Sequence, residues 1–460
     1  GAHALDYVGE ELGRELFRNP TSWRLADSPM YTAHFANAEA GFGATVVQMI
    51  DGLATESTNW TGFRTAFFTQ PSVWERALDA SLAEIDFSTD PRRAIGAFAL
   101  RAKAVAHSIA DGLGRDRTAT LLSTLRGHGD GTYDAAAFAA AVTAAGADIE
   151  RLVGDWLNVT ALPGFVASRA EVERVAGEAD APPQYEIRVH VRNDEPTPGL
   201  VRLSLGVGPQ SPRSEPVRLD GNTTVEIGMQ SAEPPQTVLL EPYLALNRIP
   251  LLIDLGDFDE HDLAIREPFV GARPSTWLPP TSVGIVIDDL HPGFFVERRH
   301  EDTRLGRTGS MEDPTREFDQ GLPKWEREPG EWTRAGILSG WGKYRRTVAG
   351  ARSGDGGEVA VFSSRLPTPG RWQLDFHVPK RETHMGWGTT TFYGTLGSFD
   401  MTLVADGKPT RVDFDGSGAD PGWNKVGEFD FTAPEVRLEI SNRTDGEMVI
   451  ADAIRWVPLD

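Results

Sequence analysis

Gln184 to Asn193 reads QYEIRVHVRN. Tyr185, Ile187, Val189 and Val191 alternate with Glu186, Arg188, His190 and Arg192, the period of two that buries one face of a β-strand and wets the other. Just upstream, at Pro182-Pro183, the apolar period changes from near four to two. The chain therefore passes from helices to sheets at this point, and its fold class follows from that change.

Before the change, AIGAFALRAKAVAHSIADGLG (94–114) is an amphipathic helix that closes on Gly112 or Gly114. DAAAFAAAVTAAGADIERLVGDWL (134–157) repeats Phe138, Val142, Ile149, Leu152, Val153 and Trp156 at spacings of three or four, with a break at Gly146. After the change, LVRLSLGV, TTVEIGM and TVLLEPYLAL continue a small antiparallel sandwich. Residues 258–281 carry no period and read as a linker. GEVAVFSSRL, GRWQLDFHV, SFDMTLVAD, KVGEFDFTA, EVRLEISN and MVIADAIRWV then alternate again, interrupted by a charged excursion at Glu297–Glu331. The expected architecture is multidomain α + β, with an N-terminal α-helical domain (1–180) followed by two antiparallel β-sandwich domains (181–257 and 282–460).

A chain of 460 residues suits about three domains. Its formal charge of −22 opposes nucleic acid as a partner, since phosphates are repelled over most of such a surface. The absence of cysteine removes disulfides, thiolate metal sites and cysteine nucleophiles. No apolar run reaches the length that spans a membrane. The opening residues look like a processed or trimmed end.

Two strings carry a resemblance to a known family. AHSIADGLGRDRTATLLSTLRGHGDGTYDAAAFAAAV and ADIERLVGDWLNVTALPGF, followed by QYEIRVHVRND and PPQTVLLEPYLALNR, resemble the later part of the gluzincin aminopeptidases, the aminopeptidase N type. On that resemblance GEELG (9–13) falls on the family's zinc helix and ANAEAGFGATVV (36–47) on its Asn-Glu-Gly-Phe string. Glu10 then takes the general-base position, Glu39 the third-ligand position, and Gly9 and Gly13 the two histidine positions. Glycine offers no donor, so three protein ligands cannot be assembled, and bound water is not acidified from ~15.7 toward ~7. GEELG reads equally as an acidic helix end. Both readings exclude zinc hydrolysis there, so no catalytic residue, metal or cofactor is expected.

The second resemblance lies in VGIVIDDLHPGFF, GWGKYRRTVAG, LPTPGRWQLDFHVP, WNKVGEFDF and VIADAIRW, which follow the order and spacing of the golvesin and xanthan-lyase type carbohydrate-binding-like domain over about residues 283 to 457. That resemblance implies a β-sandwich acting outside the cytoplasm on polysaccharide or a partner protein. Sugar modules stack pyranose faces on accessible indoles. Trp372 and Trp456 lie among alternating strand residues and read as packing. Trp341, flanked by glycines, Trp387 in HMGWGTT and Trp423 in DPGWNK sit on loops and are the ligand-binding candidates. The expected function is a non-catalytic, periplasmic or extracellular binding or assembly protein. Two alternatives stay open: the C-terminal portion of an active zinc aminopeptidase whose metal motif lies upstream, and a structural subunit of a larger extracytoplasmic complex.

Overall fold

The computed structural model describes residues 23–24, 76–85, 91–126, 132–133, 135–155, 158–176, 184–206, 211–256, 258, 263–265, 267–281, 283–299, 330–385 and 388–459. Gly9, Glu10, Gly13, Glu39 and Trp387 lie outside these. The chain divides into two compact units, Gly1–Pro279 and Pro280–Asp460.

In the first unit, residues 76–79 are helical, and four further helices are described: α1 (Pro91–Leu113), α2 (Arg115–Arg126), α3 (Ala135–Ala144) and α4 (Ile149–Val153). Proline starts α1, where its missing N–H costs no bond, and Gly114 ends it at φ +80° with its N–H on Ala110 O. Phe98, Val105 and Ile109 bury the apolar stripe of α1. Gly146, at φ +60°, separates α3 from α4. A two-residue ladder pairs Trp23–Arg24 with Thr132–Tyr133.

Nine strands follow: β1 (Phe165–Ala167), β2 (Glu171–Val175), β3 (Gln184–Asn193), β4 (Gly199–Ser204), β5 (Val217–Leu219), β6 (Thr224–Ser231), β7 (Val238–Pro242), β8 (Leu251–Ile253) and β9 (Gly271–Pro274). One sheet runs β9-β6-β3-β1 with β2 also on β3, the other β8-β7-β4-β5. Ile187, Val189 and Val191 face Val201, Leu203, Val238 and Leu240 in the core between them, as the alternation in QYEIRVHVRN predicts. Strand β9 lies inside the stretch read as a linker. All four of its residues are exposed, and an edge strand with no buried face leaves no alternation to read. Helix α1 docks on this sandwich: Asp111 accepts from the Tyr243 hydroxyl at 2.7 Å and pairs with Arg202 at 3.4 Å.

The second unit holds β10 (Ile285–Asp288), β11 (Phe294–Arg298), β12 (Thr333–Gly336), β13 (Thr347–Arg352), β14 (Glu358–Arg365), β15 (Gly370–Val378), β16 (Glu382–Met385), β17 (Gly388–Thr391), β18 (Ser398–Ala405), β19 (Lys408–Asp415), β20 (Gly422–Phe431), β21 (Glu435–Thr444), β22 (Met448–Ala451) and β23 (Ala453–Leu459). A four-stranded sheet β10-β23-β15-β20 faces a five-stranded sheet β11-β14-β21-β18-β19; β12-β13-β22 form a third sheet and β16-β17 a hairpin. Every strand pairing is antiparallel. Phe376 of the first sheet meets Phe399 at 5.8 Å and Phe414 at 5.1 Å between ring centroids, which locates the core between the two large sheets. Trp372 and Trp456 are buried in that core, as their strand positions predict. The run MVIADAIRWV is not one strand. It breaks at Asp452, where the chain passes from the three-stranded to the four-stranded sheet.

Candidate functional site

Strand β15 turns Trp372, Leu374 and Phe376 toward the core, so Gln373, Asp375 and His377 face the opposite side of the four-stranded sheet. The register of β15 against β20 shifts between Leu374 and Asp375: Leu374 pairs with Gly427, but Asp375 pairs with Lys425 and His377 with Trp423. Strict alternation back from Phe431 would put Trp423 on the core side. The extra residue, Val426, packs against the core instead and turns Lys425 and Trp423 outward. The bulge thus places an indole beside His377.

The second indole arrives from the turn after β12. Gly342 has φ +135°, and a Cβ there would sit 1.8 Å from Arg345 O, so only glycine makes this turn. Trp341, the residue before it, donates its backbone N–H to both carboxylate oxygens of Asp452 at 3.1 Å. The three rings gather closely: Trp341 to Trp423 at 4.8 Å, His377 to Trp423 at 5.1 Å and Trp341 to His377 at 5.6 Å, all edge-on. Both indoles are half-buried and His377 is buried.

Charged groups frame the rings. The Arg455 guanidinium lies 4.6 Å from the Trp423 centroid and donates to Asp375 through Nε at 3.0 Å and Nη2 at 2.7 Å. Gln373 donates to the other Asp375 oxygen at 2.7 Å. Asp452 and Asp289 lie beneath. His377 Nδ1 is 2.6 Å from Asp452, and the Asp289 backbone N–H donates to Asp452 O at 2.9 Å. Asp289 also binds Arg334 Nε at 2.6 Å and the Thr347 hydroxyl at 2.9 Å. Burial raises the Asp452 carboxyl, with the adjacent His377 opposing the rise. Burial pushes Asp289 up to about 7, against the Arg334 guanidinium.

Two of the three tryptophans picked out from the sequence, Trp341 and Trp423, therefore share one patch. His377, Asp375 and Arg455 are not apparent from the sequence. Alternation along GRWQLDFHV does place Asp375 and His377 opposite Phe376, but their cross-strand neighbours depend on register. In DFDGSG (413–418), Asp415 accepts from the Ser417 N–H and hydroxyl at 2.9 and 2.6 Å, closing a turn between strands. Such a patch, with apolar ring surface beside a guanidinium, carboxylates and an imidazole, suits a ligand with one apolar face and several hydroxyls.

No protein-family model matches the chain, and no curated protein matches it, so neither comparison supports the aminopeptidase resemblance. Similar solved structures include a Paenibacillus xanthan lyase, at 12% identity and TM-score 0.26 over 67% of this chain and 26% of the lyase. The chain spans about a quarter of that enzyme's length, as the 26% coverage states. They also include the CBM35 of Abf62 from Cellvibrio japonicus, at 13% identity and TM-score 0.19 over 38% of this chain and 95% of that one. An exo-β-1,3-galactanase from Phanerochaete chrysosporium matches at 9% identity and TM-score 0.21, over 63% of this chain and 56% of the galactanase. These neighbours are carbohydrate-active enzymes and a carbohydrate-binding module. At scores this low the likeness assigns no role to any residue.

Proposed function

We propose that the second unit binds polysaccharide through the Trp341–His377–Trp423 patch and does so without catalysis, outside the cytoplasm. One observation carries this reading: a β-bulge and a glycine turn bring two accessible indoles together beside Arg455 and Asp375. Indole surface takes the C–H face of a sugar ring, and the flanking guanidinium, carboxylate and imidazole hydrogen-bond its hydroxyls. On the same reading the helical part of the first unit, ahead of strands β1 and β2, is a metallopeptidase-like scaffold in which glycine at positions 9 and 13 offers zinc no ligand.

The test is a glycan array probed with the full chain, followed by affinity electrophoresis in neutral and uronic polysaccharides. Binding to at least one polysaccharide, weakened by Trp423→Ala and Trp341→Ala, supports the proposal. Silence on all of them, with stable co-purification of a protein partner, replaces it with the assembly-subunit reading.

A further inference from the structure

Arg455 on β23 is held from two directions. Its guanidinium carbon lies over the Trp423 ring, 4.6 Å from the centroid, so one face of that indole already carries a cation. Its Nε and Nη2 both donate to the same oxygen of Asp375, at 3.0 and 2.7 Å. Asp375 is itself fixed: its side chain is 3% exposed, and its second oxygen accepts from Gln373 at 2.7 Å. The register accounts for this meeting, because Arg455 and Lys425 stand opposite Asp375 on the two neighbouring strands.

A guanidinium has two flat edges, each able to pair with a carboxylate. Asp375 takes the edge formed by Nε and Nη2. The other edge, Nη1 with the second N–H of Nη2, has no partner among the described residues. With 25% of the side chain exposed, Nη1 is not a buried donor. The next carboxylate on this face, Glu428, is taken by Lys425 and Arg371, both at 2.6 Å.

We propose that the open edge of Arg455 receives the carboxylate of a uronic acid residue, so that the polysaccharide bound at this patch is acidic rather than neutral. The proposal rests on the glycan reading above and adds its ligand class. Trp423 and Asp375 have already removed the freedom of the Arg455 side chain, so pairing through the open edge costs little ordering. A carboxylate presents two coplanar acceptors that match the fork, and its charge strengthens both bonds. Sugar hydroxyls match it less well, since each rotates independently and neither is charged.

Affinity electrophoresis of the full chain tests this separately from the glycan reading. The gels contain polygalacturonate, alginate or hyaluronan, the same polymers with their carboxylates chemically reduced to alcohols, neutral mannan and galactan, and dextran sulfate. Retardation by at least one uronate polymer is expected, about tenfold tighter than by its reduced form, the scale of a charge-assisted pair. Arg455→Gln is expected to lose that preference and to keep the affinity shown for the reduced polymer. If this variant does not fold by circular dichroism, the wild-type comparison of native and reduced polymer decides alone. Equal affinity for a uronate polymer and its reduced form, binding to neutral polymers only, or an unchanged preference in folded Arg455→Gln overturns the uronate assignment and leaves the glycan reading standing. Dextran sulfate bound as tightly as the uronate polymer overturns the carboxylate assignment. Silence on every polymer overturns both.

Discussion

His377 and Asp452 meet at 2.6 Å, and the carboxylate of Asp452 also holds the Trp341 backbone N–H. One fully buried acid thus fixes both an imidazole on β15 and the turn that carries an indole. Replacing it with alanine strands a ring nitrogen and a main-chain donor in a buried setting. Asp452→Ala is expected to lose about 1–3 kcal/mol in urea denaturation. An unchanged midpoint would show that the contact is incidental.

The turn itself depends on Gly342. Alanine there must hold φ near +135° with its Cβ against Arg345 O. Gly342→Ala is expected to cost about 1–3 kcal/mol and to change the near-ultraviolet circular dichroism of the tryptophans as Trp341 moves. A variant with wild-type stability and an identical spectrum contradicts this.

Asp289 and Arg334 are both buried, 1% exposed at their side chains, and paired at 2.6 Å. Arg334→Met leaves the carboxylate unpaired, and about 3–5 kcal/mol of stability is expected to go at neutral pH. The pH dependence has a definite sign. The folded carboxyl titrates at about 7 rather than 3.8, so the folded state holds a proton that the unfolded state releases, and stability from this group falls as pH rises through that window. Removing Arg334 raises the folded value further. The deficit relative to wild type is therefore expected to be smaller at pH 5 than at pH 8, by denaturant titration at both. An equal deficit at the two values refutes the linkage.

Phe376 joins the two large sheets through Phe399 and Phe414 and is fully buried. Phe376→Ala is expected to cost about 3–5 kcal/mol in denaturant unfolding. Its neighbour on the outer face gives a contrast: Trp423→Ala removes ring surface at half-buried depth, so its effect should fall mainly on ligand affinity and less on stability. A larger stability loss for Trp423→Ala than for Phe376→Ala would place Trp423 in the core instead.

Much of this architecture is determined locally. The apolar period is a property of neighbouring residues, so α1, β3, β14, β15 and β18 appear where the alternation or the i, i+4 pattern predicts them. Gly114 and Gly146, which end helices, are legible because positive φ is a requirement of single residues. The break at Asp452 was not legible, because both halves of MVIADAIRWV alternate well and only the separation of two sheets divides them. Strand β9 was hidden because an exposed edge has no apolar signature. The patch lies further from sequence still. Glycine neighbours mark Trp341 and Trp423 as loop indoles, but Trp423 lies in strand β20, and the contact between them needs a one-residue bulge at Val426 and the crossing of β22 into β23. Side-chain periodicity acts over a few residues, whereas register and sheet crossover are settled by packing between segments far apart in the chain, so the strands were set by the sequence and the company of His377 by the tertiary fold.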